Sequence, residues 1–156
     1  GTILRDTLRA ADILAEKYGI AADVWSATSY NELRRACLQI ERWNRLHPTE
    51  SPRQSYLQQV LNGETGPFIA SSDYMKAVPD QISRWVPGGL TTLGTDGFGR
   101  SETRKALRRH FEVDAEHITV AALYALAQRS ILEPNEVAQA IKDLGVDPDT
   151  IDPMLA

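Results

Sequence analysis

Cysteine, histidine and long apolar runs are all scarce in this sequence, and each shortage removes a class of function. The single cysteine, Cys37, cannot form a disulfide within the chain, and one thiol cannot build a thiolate metal cluster. Leu33 lies four residues before it and Ile40 three after, so Cys37 falls on the apolar side of a helix. It reads as a structural thiol in a reducing compartment, which points to the cytoplasm. The three histidines, His47, His110 and His117, include no pair four residues apart, so a helical metal-ligand pair is missing. No stretch approaches the roughly 20 apolar residues of a membrane-spanning helix, and there is no basic-then-apolar signal segment. Also absent are the Gly-x-Ser-x-Gly nucleophile elbow, the Gly-Lys-Ser/Thr phosphate loop and the Gly-x-Gly-x-x-Gly dinucleotide turn. Positive charge is in short supply as well. A net charge of −4 and a pI near 5.4 argue against any general affinity for nucleic acid or anionic membranes.

What is present is the composition of an ordinary folded domain, 42% hydrophobic and 24% charged over 156 residues, enough for one core. From Ile3 to Tyr18 the apolar positions Leu4, Leu8, Ala11, Ala15 and Tyr18 recur at three and four, which is one helix face closed by Gly19. Ile20 to Ala27, with Val24 and Trp25, reads as a strand. Ser29 and Glu32 form a capping box for a helix that buries Leu33, Ala36, Cys37 and Ile40 and stops at His47-Pro48. Ser51-Pro52 with Gln54 signals another helix start, with Tyr56, Leu57, Val60 and Leu61 inward and Asn62-Gly63 as the stop. Phe68 to Ala70 is a short buried strand, Ser72-Asp73 starts a helical stretch interrupted by Pro79, and Leu90 to Leu93 is the next strand.

Gly94 to Ser101 follows, with three glycines, a carboxylate, an aromatic and a guanidinium between that strand and a basic helix, Glu102 to Phe111. Glycine there permits close backbone approach, and Ser101 is placed to cap the helix. Ligands and partners of α/β folds gather at this end of a sheet. Arg100, Arg104, Lys105, Arg108 and Arg109 make a local basic run, read first as a solvated helix face, with a partner or phosphate contact as the alternative. Beyond Val113, a strand stub, Asp114 caps a helix to Gln128. Its apolar, small-residue surface of Ile118, Ala121, Ala122, Tyr124, Ala125 and Leu126 calls for cover on more than one side. Pro134 opens a last helix with Val137, Ala140, Ile141 and Leu144 inward. Residues 1–145 thus form one domain and 146–156 an extended tail. Strands alternating with helices mean a mostly parallel sheet covered on both faces, and three strands are few for one. The chain begins as though a first strand had been cut away.

The stretches Asp23 to Leu33, Glu41 to Pro48, Ala70 to Lys76, Leu93 to Ser101 and Asp152 to Ala156, taken in order, resemble the homodimeric bacterial pyruvate dehydrogenase family. This is the thiamine-dependent first component of the pyruvate dehydrogenase complex, and the likeness covers nearly the whole chain. It implies the family's third, carboxy-terminal domain, shared with transketolases: a three-layer α/β/α sandwich with a mostly parallel, mixed sheet, here lacking its first strand. In that family the whole enzyme decarboxylates pyruvate on thiamine diphosphate with magnesium and passes the acetyl group to the lipoyl arm of dihydrolipoyl acetyltransferase. Cofactor and catalytic residues lie in the preceding domains. The resemblance therefore carries no catalytic, cofactor-binding or metal residue onto this chain and implies a structural, dimer-forming role. Thr95-Asp96-Gly97 departs from the Gly-Asp-Gly of the magnesium motif, and no asparagine follows until Asn135. Asp96, Gly97, Phe98, Gly99, Arg100 and Ser101 are the candidate active-site-adjacent or interface loop. The alternative is a free-standing interaction module that docks an acetyltransferase or regulator through the acidic tail or the Ile118 to Leu126 helix.

Overall fold

In a computed structural model, which describes residues 2–156, seven helices and one two-stranded sheet are found. The first helix, α1 (Leu4–Tyr18), ends as its periodicity requires: Gly19 is left-handed and its N–H reaches Ala15 O, while Ile20 N–H reaches Leu14 O. Ser29 caps α2 (Tyr30–Leu46) by accepting from Glu32 N–H at 3.2 Å. Trp43 lies within α2, stacked on His47 at 4.4 Å and covered on its other side by the Arg53 guanidinium at 3.5 Å.

The next helix starts later than its proline suggests. Residues 51 to 55 are not helical, and α3 (Tyr56–Val60) is capped by Ser55 in a capping box with Gln58. Both Ser51 and Ser55 stand three residues before a glutamine. Ser55 prevails because it is buried and its Oγ also accepts from Cys37 Sγ at 3.2 Å, while Arg53 N–H is taken by the Asn44 side chain at 2.8 Å.

The parallel sheet pairs β1 (Ile69–Ser71) with β2 (Thr91–Leu93) in the register Ile69–Thr91, Ala70–Thr92, Ser71–Leu93. Between them come a single helical turn, α4 (Ala77–Asp80), which carries Pro79, and a 3₁₀ turn at Ser83–Trp85. Ser72-Asp73 starts no helix; Ser72 Oγ instead accepts from Tyr74 N–H in a local turn. The expected strand at Ile20 to Ala27 is not formed either. No other strand of the described residues runs beside it, and a strand exists only through a ladder of hydrogen bonds with a neighbour. Val113, expected as a strand stub, is a buried loop residue packed with Ile3, Ala10, Ala115 and Ile118.

The basic helix is α5 (Arg104–His110), and its cap is Thr103, which accepts from Ala106 N–H at 3.3 Å; Ser101 stands too far upstream to reach the first turn. Thr103→Ala is expected to cost about 1 kcal/mol in urea denaturation, whereas Ser101→Ala leaves the midpoint unchanged. Asp114 caps α6 (Ala115–Gln128), and Pro134 opens α7 (Pro134–Asp143). As its composition demands, α6 is covered by both α1 and α7 and lies against the sheet. Ile118, Thr119, Leu123 and Ala125 are buried in the core, whereas Tyr124, of the surface expected to be covered, is exposed.

The apolar side chains gather in three clusters. One joins Cys37, Leu57, Leu61, Ile82, Trp85 and Val86 with Phe68 and Leu90, the residues that lead into the two strands. The other two lie along α6, around Ile3, Val113 and Leu93 on one side and Leu14, Leu123, Val137 and Ala140 on the other.

Candidate functional site

Two places collect chemistry-bearing side chains. The first is the glycine loop at the carboxyl ends of the strands. Gly94 is buried, and its backbone passes so close to the segment after β1 that an added Cβ would stand 2.5 Å from Tyr74 O and 2.8 Å from Lys76 N. Hydrogen bonds lock the approach: Thr95 N–H donates to Tyr74 O at 2.9 Å, Thr95 Oγ1 to Asp73 O at 3.0 Å, and Lys76 N–H to Asp96 Oδ1 at 3.0 Å. Lys76 Nζ lies 4.0 Å from the other Asp96 oxygen. The Asp96 carboxylate therefore ties two loops together.

Gly97 is left-handed, φ +102°, and faces the end of the chain: a Cβ there would collide with Pro153 O. Residues 152–155 form a turn in which Leu155 N–H reaches Asp152 O and Met154 N–H reaches the Asp152 carboxylate. The tail thus lies on the loop. Phe98 is 78% exposed, and the two segments that touch the loop at Gly94 and Gly97 carry further exposed apolar residues, Tyr74, Met75, Met154 and Leu155. Gly99 has open space where a side chain would be, while Arg100 and Ser101 are exposed and make no side-chain hydrogen bond or ion pair among the described residues. The sequence signal marked 94 to 101. It did not reveal that Lys76 and Pro153 complete this corner, because both come from distant positions.

The second place is a groove between α1 and α5. A cavity of about 630 Å³ is lined by Asp6 and Arg9 from α1, Arg104, Lys105, Arg108 and Arg109 from α5, and Asp114 and Glu116 at the start of α6. A second one of about 400 Å³ continues it past Thr2 and Arg5, sharing Arg104 and Arg108. Arg108 pairs with Asp6 at 2.8 Å, and Arg109 with Asp114 at 3.1 Å while also reaching Gly145 O. Burial raises the Asp6 carboxyl above the ordinary carboxylate range; Arg108 opposes this, and Asp114 and Glu116 add to it. At Asp114 burial acts in the same upward direction. There the hydrogen bonds from the His117 side chain and backbone, the His117 charge and the Arg109 hydrogen bond outweigh it, and the carboxyl is held below its usual value. His117 Nδ1 lies 2.6 Å from Asp114 Oδ1.

Among the described residues no group of three or more His, Cys, Asp or Glu side chains is placed to hold a metal ion, and no helix is long and apolar enough to cross a membrane. No nucleophile-and-base pair stands in either place. The arrangement is a parallel sheet whose carboxyl ends carry a clamped glycine loop, backed by helices.

Residues 1–114 match the transketolase-like TK C-terminal domain, and the chain belongs to that family. The fold is accordingly of the α/β class. Within it the chain is similar to the pyruvate dehydrogenase E1 component of Pseudomonas aeruginosa, 54% identical over 155 residues, and to that of Escherichia coli strain K12, 49% identical over 157. These alignments cover 99% and 100% of this chain but 18% of each relative. The corresponding protein of Cupriavidus necator is 47% identical over 154 residues, with 99% and 17% covered. The chain spans less than a fifth of the length of these curated relatives.

Proposed function

We propose that this chain is the carboxy-terminal supporting domain of a thiamine diphosphate-dependent pyruvate dehydrogenase, the component that decarboxylates pyruvate and passes the acetyl group to dihydrolipoyl acetyltransferase. The observation that carries it is identity of 47 to 54% to pyruvate dehydrogenase E1 components along essentially the whole chain. The working protein is a cytoplasmic homodimer, with 1–145 as the folded domain and 146–156 as the tail that seats on it. Thiamine diphosphate with magnesium supplies the decarboxylation chemistry when bound to the complete protein. The residues of the 94 to 101 loop do not fit that group: both oxygens of Asp96, the loop's one carboxylate, already face Lys76. No reaction step is assigned to this chain.

What this chain contributes is shape. Phe98 on the loop and Tyr74, Met75, Met154 and Leu155 on the segments clamped to it are exposed and apolar, and together they supply a rim of the kind that marks an interface. In this reading the rim meets the second subunit and Arg100, at its edge, reaches toward the active site that the two subunits share. The test is made in the full-length protein. Pyruvate-dependent acetyl transfer is expected to require thiamine diphosphate and magnesium. Phe98→Asp should shift the sedimentation of the dimer toward monomer, and Arg100→Ala should lower activity about tenfold by loosening the geometry it supports. Full activity after Arg100→Ala removes the loop from the active-site surroundings. Absence of any pyruvate-dependent activity overturns the whole reading.

A further inference from the structure

The groove between α1 and α5 is not used by the reading above, and its lining shares no residue with the 94 to 101 loop. Six of the 17 cationic side chains of an acidic chain line it: Arg5, Arg9, Arg104, Lys105, Arg108 and Arg109. They form three pairs with a spacing of four residues, 5 and 9, 104 and 108, 105 and 109. Each pair stacks its charges about one helical turn, roughly 5.4 Å, apart on its own helix. Three are already matched: Arg108 by Asp6, Arg109 by Asp114, and Arg9 by Glu116 at 3.7 Å. Arg5, Arg104 and Lys105 are exposed and have no hydrogen-bond or ion-pair partner among the described residues. Moreover, α5 buries none of its own residues fully, so its charged face is left presented along the groove.

The geometry points to a docking site for an acidic segment of another protein, whose carboxylates pair with Arg5, Arg104 and Lys105. A small phosphate would need these cations to converge. Here Arg5 lines one cavity and Lys105 the other, and Asp6, Asp114 and Glu116 are also among the lining residues. A nucleic acid would need the long-range attraction that a chain of net charge −4 does not provide.

The test uses the full-length protein and a fluorescein-labelled glutamate-rich peptide, followed by anisotropy at low and moderate salt. A matched peptide with glutamine in place of glutamate serves as the control. Binding of the glutamate peptide alone is expected. Raising the salt should weaken it, and the double variant Arg104→Glu, Lys105→Glu should weaken it about tenfold. Arg34→Glu, an exposed charge on α2, should leave it unchanged. Equal binding by the double variant or of the glutamine peptide overturns the proposal, as does equal loss with Arg34→Glu, which would signify bulk charge. Displacement by inorganic phosphate below millimolar concentration would make the groove a small-anion site instead. No binding at all would mean that the rest of the protein covers it, which also overturns the proposal.

Discussion

Gly94→Ala is expected to destabilise the chain by about 3 kcal/mol. Its Cβ would stand 2.5 Å from Tyr74 O, 2.8 Å from Lys76 N and 3.1 Å from Met75 C, all backbone atoms that no rotamer change can move aside. The two segments would have to part. That breaks the bonds from Thr95 N–H to Tyr74 O and from Lys76 N–H to Asp96, and leaves a buried turn without its partners. Gly99→Ala is the control, since nothing lies within 4 Å of its added carbon. Urea denaturation of the two variants checks the expectation; a Gly94→Ala midpoint close to the wild-type value would show that the loop is held elsewhere.

Asp114→Ala is the second large effect, about 2 kcal/mol at neutral pH. It removes the cap of α6, the helix at the centre of the packing, and strips Arg109 and His117 of their shared carboxylate. Asp114→Asn separates the two contributions, because the amide oxygen still accepts from His117 N–H while the charge is gone. The folded-state value of this carboxyl lies below its ordinary one, so ionisation of Asp114 favours the folded state. That stabilisation is complete above about pH 5 and is lost as the pH falls through the folded-state value, below the ordinary value of about 3.9. Wild type and Asp114→Asn should therefore differ at pH 7 and converge toward pH 3. A difference that does not change with pH would assign the effect to capping alone.

The sequence was most legible where structure depends on neighbours within four residues. The Ser29 and Asp114 caps, Pro134 at the head of α7 and the end of α1 at Gly19 all formed as their spacing requires, but α1 buries Ala10 and Leu14, and Leu8 and Ala15 of the expected face are exposed. It misled where a distant group decides between local choices. Ser51 and Ser55 carry the same capping signal, and the choice is made by the Cys37 thiol, 18 residues from Ser55. Ile20 to Ala27 has the residues of a strand and nothing alongside to pair with. At the candidate site the glycines were readable as a strand-to-helix loop, whereas the clamp by Lys76 was not. The facing of Arg5 and Arg9 by the basic run of α5 joins residues about 100 positions apart, beyond any periodicity.

The sheet has a consequence for how motion is partitioned in this molecule. Its strands are three residues long and enter from the cluster around Trp85 and Leu57, through Phe68 and Leu90. They leave at Leu93 in the cluster around Val113 and Ile118. Two groups of helices thereby meet at a narrow seam of backbone hydrogen bonds, with Arg129, at the end of α6, reaching Thr65 O as a further link. Amide hydrogens of α2 and α3 then report on one cooperative unit and those of α1 and α6 on another. The glycine loop, fastened where the seam ends, moves with the second.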